Sequence, residues 1–489
     1  MRPHAQARSA REIQRCRPEN RGRNVERSLS NEIAHKSRHR RKRRMKMEQE
    51  ADRPAPAHWW MVGVLCLVNA VAFIDRAALP LLVQPIKRDL GISDTMMSLL
   101  IGAAFIITYA IGGFLVGVLV DRFSRRRILG IGIAAWGVST ILCGSATTYA
   151  GLFLSRCGVG AGEATCGPAS MSLVKDAFDT RFRGRAVAIW AMGASIGGGI
   201  ALLAGGAILH LVGENGAYVV PVLGISIRSW QLVMIACGVF ALPVALLVFT
   251  FPEPARRSAG PTKSVAFKEV LEAIRGRWLV FALLFLANAS TIMLSVAYSS
   301  WVPAFLGRVW KIPAGEIGLT YGLIVLLLST TSQLSAGFLV DLVYRRYGLP
   351  GVPALGIAIC ALIFLPAVLA PAAGSISATW LLLAAFNLLA ASLFTIGTST
   401  IVHLSPGSVI GKITAVHFAW VGITGTAVAP TLVAVIADRM FEGTQSALGS
   451  ALSTVGGALA IAGGLCLLAV YWQMRPGRVV SSLIPESAR

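Results

Sequence analysis

From residue 59 onward the chain is a succession of apolar runs, each about twenty residues or longer, separated by short polar joints. Twelve such runs can be drawn: 59–84, 96–120, 128–147, 149–174, 186–211, 231–251, 278–303, 316–340, 352–372, 378–401, 412–437 and 447–472. At 1.5 Å per helical residue each can cross about 30 Å of hydrocarbon. With no water to satisfy the backbone, runs of this kind must be helices. The pattern therefore predicts an all-α membrane protein with twelve transmembrane helices. The run 96–120 passes directly into GVLVDRFSRRR, Gly117–Arg127, and a related stretch, GFLVDLVYRR, covers Gly337–Arg346. Upstream, GISDTMMSLLIG ending at Gly102 aligns without a gap over KIPAGEIGLTYG ending at Gly322. This internal repeat predicts two pseudo-symmetric six-helix halves, 58–251 and 278–473. A basic segment containing Pro and Ser, 252–277, joins them as a linker, with tails at 1–57 and 474–489.

Composition agrees with a polytopic membrane protein: 55% hydrophobic residues, 14% charged, and 50 glycines in 489. The eight cysteines are scattered, most of them inside apolar runs, with no paired CxxC spacing. Neither a disulfide framework nor a zinc site is indicated, and no metal or cofactor is expected. A formal net charge of +22 invites a nucleic-acid reading. However, 16 Lys and Arg against 6 Asp and Glu fall in the first fifty residues, which accounts for +10 of it. We read Met45 or Met47 as a natural start, which would place the basic stretch outside the mature chain. The competing readings are a cytoplasmic tail held by anionic lipid and, last, a nucleic-acid arm.

Lys and Arg in the joints set the orientation. One set of loops carries Arg122, Arg125, Arg126, Arg127, Lys175, Arg181, Arg183, Arg185, Arg256, Arg257, Lys263, Lys268, Arg275, Arg277, Arg345, Arg346 and Lys412. The other set has only Lys87, Arg88, Arg228, Arg308, Lys311 and Arg439. The first set is expected to be cytoplasmic, with both termini inside and the protein multi-pass in the cell inner (plasma) membrane.

The 6+6 plan, with GxLxDRxxxRR after span two and a degenerate copy after span eight, resembles the major facilitator superfamily. Ser124 stands where that motif usually has Gly, and Leu342 replaces the Arg found as Arg122 in the first copy. The N-terminal half is similar to the Spinster-like group in FIDRAALPLLVQPIKRDLGISD (Phe73–Asp94), DRFSRRR (Asp121–Arg127), RCGVGAGEATCGPASMSLVKDAF (Arg156–Phe178) and RGRA (Arg183–Ala186). The resemblance covers about 60–190 well; the C-terminal half matches only at superfamily level. It implies a secondary active carrier working by proton-linked alternating access, with lysophospholipids or sphingoid phosphates as cargo. The alternatives are a proton symporter for a small organic or sugar acid, and a non-transporting membrane sensor or scaffold. A monomer is expected. No GxSxG elbow, HExxH, P-loop or dinucleotide fingerprint is present, so the sequence reads as neither an enzyme nor an ATP-driven pump.

Ionisable side chains inside spans are costly and need a reason. Asp75 and Arg76 lie in span one, Arg156 and Glu163 in span four. The last two are seven apart and share a helix face. Counting along the helices places Asp75 and Arg156 at similar depth, with Glu163 about 10 Å further towards the midplane. Asp75 and Glu163 are the candidate proton-coupling groups, because desolvation and a movable Arg act in opposite senses on a carboxyl. Arg76 and Arg156 are candidate donors to a carboxylate or phosphate. A permanent set of ion pairs locking two helices is the competing reading. The C-terminal half offers Asn288, Tyr298, Asn387, His417 and Trp420 as candidate substrate contacts, so the chamber is expected to be charged on one wall and apolar-to-hydroxylic on the other. Gly117, Asp121, Arg122, Arg125, Arg126, Asp341 and Arg345 are expected to form a cytoplasmic gate that favours the outward-facing state.

Overall fold

The structure is a computed structural model. It describes residues 55–474 apart from 215, 220–225, 257–271, 273, 406–409, 442, 443 and 445. The basic N-terminal stretch, most of the linker and the C-terminal tail lie outside the described residues.

The N-terminal half begins with α1 (Pro56–Leu81) and a short amphipathic α2 (Val83–Leu90). Next, α3 (Asp94–Ile101) runs through Gly102 into α4 (Ala103–Arg122), followed by α5 (Arg125–Ser145). Span four is split into α6 (Tyr149–Glu163) and α7 (Cys166–Ala177), and α8 (Thr180–Val212) follows. A two-stranded antiparallel hairpin, β1 (Ala217–Val219) with β2 (Ser226–Arg228), leads into α9 (Ser229–Leu247). The C-terminal half holds α10 (Trp278–Val309), then α11 (Ala314–Ile324) continuing through a π turn, Val325–Ser329, into α12 (Thr330–Tyr347). After α13 (Gly351–Leu369) and α14 (Ile376–Leu404), α15 (Ile410–Ile423) passes through a second π turn, Thr424–Val428, into α16 (Ala429–Met440). The last helix is α17 (Ala447–Gln473).

Eleven of these stretches are long and apolar enough to cross a membrane. The twelfth expected span is α6 with α7, interrupted at Ala164-Thr165. Pro168 has no N–H to offer the carbonyl of residue 164, so the helical ladder lapses there. Thr165 fills the gap by turning back on Gly162, its N–H at 3.2 Å and its hydroxyl at 2.8 Å from that carbonyl. The hairpin is an addition the hydrophobic pattern did not suggest. Helices also overrun the apolar runs: α10 has 32 residues, because its helical ladder continues past the hydrocarbon-length segment to Val309. Hydroxyl caps start several helices, with Ser124, Thr148 and Ser375 each accepting from the backbone N–H three residues on.

Small residues let the helices close up. Gly193 and Gly197 of α8 lie against the backbone of Cys66 and Ala70 in α1, where an added Cβ would overlap. The two halves meet towards the end that carries α2. There Gly102 abuts Thr426 of one π turn, and Gly199 abuts Leu326 of the other. Nearer that end Gly206 faces Gly318, and His210 faces Gly315. A π turn widens the helix by one residue and recurs at functional positions; here both sit where the opposite half touches.

Candidate functional site

Helix α1 enters with Asp75 and Arg76 adjacent, so their side chains diverge by about 100°. The two residues find separate partners. Arg76 turns towards Glu163, the last residue of α6: Nε lies 2.8 Å and Nη2 2.7 Å from the Glu163 carboxylate. Glu163 is wholly buried, whereas the Arg76 side chain stays 28% exposed. Its guanidinium rests among three rings, 4.9 Å from the Phe73 centroid, 4.5 Å from Phe105 and 5.1 Å from Tyr109. Such contacts attract a cation while leaving its edge free to donate. Phe105 lies one helical turn from Gly102, so Arg76 sits just below the seal between the halves, on the side facing the basic loops.

Asp75 points the other way and is fully buried. Its Oδ2 accepts from the Thr140 hydroxyl on α5 at 3.0 Å, and its Oδ1 has no hydrogen-bond partner among the described residues. Arg156, buried on α6, reaches the Asp75 main-chain carbonyl at 3.5 Å rather than its carboxylate, and its guanidinium lies 5.3 Å from the Phe105 ring. The helices approach closely at this point: Gly162 packs on the Trp136 backbone, and Gly132 on Thr165. The four charges expected from the sequence are thus neighbours, grouped as Arg76 with Glu163 and as Asp75 with Thr140 and Arg156. Thr140, Phe105 and Tyr109 were not among the expected residues. A lone hydroxyl or ring in an apolar run carries no signal of its own.

The C-terminal candidates are dispersed. Asn288 donates to the Leu284 carbonyl at 3.1 Å and packs on Gly397. Asn387 donates to Leu383 at 2.8 Å and accepts from Ser329 at 3.2 Å. Tyr298 is buried in the half's own core, stacked 4.1 Å from Phe386 and bonded to the Ala367 carbonyl. His417 is buried among Phe285, Phe394 and Phe418, with neither ring nitrogen partnered among the described residues. Trp420 is 42% exposed and donates to the Phe285 carbonyl at 3.1 Å. The structure does not bring these five together at one point.

At the basic-loop end the motif residues serve the N-terminal half. Buried Arg125 donates to Asp176 of α7, to Glu253 and, at 2.5 Å, to the Pro254 carbonyl. Arg126 donates to the Phe251 carbonyl at 2.7 Å. Arg256 returns the clamp, capping α4 through the carbonyls of Val120, Asp121 and Phe123. Gly117, Asp121, Arg122, Asp341 and Arg345 are not buried. Among the described residues, none of these five makes a hydrogen bond or ion pair to the opposite half.

Glu253 lies outside the spans. Partial burial works to raise its carboxyl, but donation from the Ser124 hydroxyl and from the Arg125 N–H and guanidinium outweighs this and holds it below its ordinary value of 4.5. The stabilisation from that lowering is fully present above the ordinary value and fades as pH falls through the lowered one. Glu253→Gln is therefore expected to lower the thermal unfolding midpoint by a few degrees at pH 7, with the gap to the unsubstituted protein narrowing as pH falls below the ordinary 4.5 and through the lowered value. A gap that persists undiminished in acid would assign the loss to packing.

A family model described as Major Facilitator Superfamily matches residues 65–430. Among curated proteins, an MFS-type efflux pump of Mycolicibacterium smegmatis is 31% identical over 304 residues, covering 60% of this chain and 66% of the relative. The sphingosine-1-phosphate transporter SPNS2 of Danio rerio is 25% identical over 268 residues, covering 53% and 50%. The matched chain thus spans about half to two thirds of these relatives' length. Among solved structures, a bacterial homologue of the human lysosomal transporter Spinster, in an inward-facing and unoccupied conformation, superposes with a TM-score of 0.70. That pair is 22% identical and covers 86% of this chain and 97% of the other.

Proposed function

The chain belongs to the Major Facilitator Superfamily and is a multi-pass membrane transporter, and we propose that it is a proton-linked secondary carrier of an amphipathic, lipid-like organic anion. The observation that carries the proposal is the Arg76–Glu163 pair in its ring of aromatic side chains. A guanidinium that is partly open to water, and held by one carboxylate that water does not reach, is a site where an incoming anion competes with an internal one. A phosphate or carboxylate head group would take the free edge of Arg76. Proton occupancy of a nearby carboxyl then sets how strongly the protein itself holds that cation. The apolar part of the cargo would lie against the aromatic and aliphatic side chains that line both halves. The name of the SPNS2 relative, a sphingosine-1-phosphate transporter, supports a sphingoid-phosphate type of cargo.

We read the basic-loop end as cytoplasmic, following the distribution of Lys and Arg, with both termini inside and the protein in the cell inner membrane. On that reading no hydrogen bond or ion pair among the described residues joins the Asp121 and Asp341 loops on the cytoplasmic side, and these loops are the parts that would close against each other in the opposite state. Asp75 and Glu163 share the coupling role, with Arg76 and Arg156 as their cations.

The test is flux in vesicles reconstituted with the full chain. Sphingosine-1-phosphate and lysophosphatidate are offered as probes beside galactonate, with and without an imposed pH gradient. Lipid-phosphate flux that rises several-fold with the gradient supports the reading. Gradient-driven flux of galactonate alone would change the cargo to a small acid. Substrate flux indifferent to pH would remove the proton link.

A further inference from the structure

Thr140 sits on neither helix that carries the four charges, yet its hydroxyl is the one group that hydrogen-bonds the Asp75 carboxylate among the described residues. Its Oγ1 lies 3.0 Å from Asp75 Oδ2 and 3.0 Å from the Trp136 main-chain carbonyl one turn back on α5. A hydroxyl has one proton and two lone pairs, so it can donate to only one of these oxygens at a time. Both acceptors stand at equal distance, and the choice between them depends on the charge of Asp75. Thr140 is itself fully buried, as is Asp75.

We infer that Thr140 is a two-position hydroxyl that accommodates Asp75 with and without its proton, and is thereby a positioning residue for coupling. The inference rests on the proposed role of Asp75 above. With Asp75 ionised, the Thr140 O–H donates to Oδ2, and the Trp136 carbonyl keeps its ordinary helical bond. With Asp75 protonated, the new acid O–H donates to Thr140 Oγ1, and the hydroxyl proton swings to the Trp136 carbonyl. Neither state leaves this oxygen unmatched, and no heavy atom has to move. The β-branched side chain limits the rotation of Oγ1 itself, which keeps the acceptor in place for the acid. Both side chains are fully buried, and a buried polar group left unmatched is costly. A two-way hydroxyl therefore makes proton gain and loss at Asp75 reversible without opening the helix packing.

The surroundings suit this role. The charged groups near Asp75 are Glu163 and Arg156 on α6 and Arg76 on its own helix; α5 contributes Cys143 and α9 contributes Cys237. Of the two arginines, Arg76 is held by Glu163, while Arg156 makes one 3.5 Å bond to the Asp75 main-chain carbonyl and its Nε has no partner among the described residues. No cation lies within ion-pair distance of the Asp75 carboxylate among the described residues. Among hydrogen-bond partners, a change of charge there is met by Thr140.

The test uses infrared difference spectra of the purified full chain, titrated with acid, in the unsubstituted protein and in D75N, T140S, T140C and T140V. A protonated-acid carbonyl band that titrates and is lost in D75N identifies Asp75. In T140V that band is expected to move to higher frequency, because the acid O–H has lost its acceptor. Its titration is expected to shift upward by about one pH unit, since the charged form loses the stronger of the two hydrogen bonds. T140S should restore both readings, and T140C should fall between them because a thiol is a weak partner. If T140V does not fold, the order of the Thr, Ser and Cys proteins decides. An unshifted band throughout the Thr140 series overturns the inference while leaving Asp75 as the proton site. A titrating band that survives in D75N instead removes the assignment of the proton to Asp75, and the inference with it.

Discussion

Glu163→Gln is expected to reduce gradient-driven flux by about two orders of magnitude while the protein remains folded. The expectation follows from the asymmetry of its pair with Arg76. Both guanidinium contacts converge on Glu163 Oε2, and Oε1 has no partner among the described residues. Gln keeps an oxygen that Arg76 can use but brings no charge, so the guanidinium loses its counter-ion in a poorly solvated site. Removing one partner of a buried pair costs about 3–5 kcal/mol. Because Arg76 retains 28% exposure, water screens part of this, and about 2–3 kcal/mol is a fairer figure. At 1.36 kcal/mol per decade that corresponds to roughly a hundredfold in rate. The fold should survive, because span four is fixed by Gly162 on Trp136 and by Gly160 on the Phe105 backbone, neither of which uses the carboxylate. The measurement is initial flux in vesicles at matched protein content, with helicity and elution profile as controls. Flux in the Gln variant within threefold of the unsubstituted protein would show that the Arg76 counter-ion plays no part in transport.

How far the sequence reveals this site depends on which physical rule each residue breaks. Asp75, Arg76, Arg156 and Glu163 violate the rule against charge in hydrocarbon and so are conspicuous. The depth count that put Asp75 level with Arg156 agrees with the 3.5 Å approach of that arginine to the Asp75 carbonyl. Sequence spacing could not say which acid takes which base. Arg76, next to Asp75 in the chain, crosses to Glu163 at the end of α6, because successive helical residues diverge by about 100°. Thr140 was illegible for a different reason: hydroxyls are common in membrane helices and normally bond the carbonyl one turn back, which Thr140 also does. The twelve-span, two-half plan followed from hydropathy and the repeat. The break at Ala164-Thr165 was foreshadowed by Pro168 four residues after the lapsed carbonyl. Of the two π turns in the C-terminal half, Val325–Ser329 had no such marker, whereas Thr424–Val428 had the same one, Pro430 standing four residues after Thr426.

Weakening the contact between Asp94 and Arg308 is expected to open the α2 end. Asp94 begins α3 and accepts from both Arg308 nitrogens, each at 2.5 Å, across the boundary between the halves. Lys87 of α2 holds the same carboxylate at 2.5 Å from within the N-terminal half. The next residue of α2, Arg88, does the same for Glu214, whose other oxygen accepts from the Ala314 N–H at 3.0 Å, at the start of α11. Two neighbouring cations on one short helix therefore each steady a carboxylate that reaches into the opposite half. Thr95 adds a third crossing, to Asp438 at 2.8 Å. The sequence showed Lys87, Arg88 and Arg308 only as the sparse positive charges of the outer loops. In the proposed alternating-access cycle these contacts would be made and broken in each turn, and they would set the balance between the two states. Asp94→Asn leaves Arg308 and Lys87 facing a neutral amide and weakens the closed state by about 2 kcal/mol after allowance for partial exposure. That is roughly thirtyfold in the ratio of states. Spin labels at Tyr218 and Met440, exposed positions on the two halves, report the change as a distance distribution moved outward by several ångströms. Arg308→Ala should give the same shift, and the double variant little more, because both changes remove one contact. Four superimposable distributions, the three substituted proteins matching the unsubstituted one, would mean that the seal rests on the glycine contacts at Gly102, Gly199 and Gly206 and owes nothing to the charges above them.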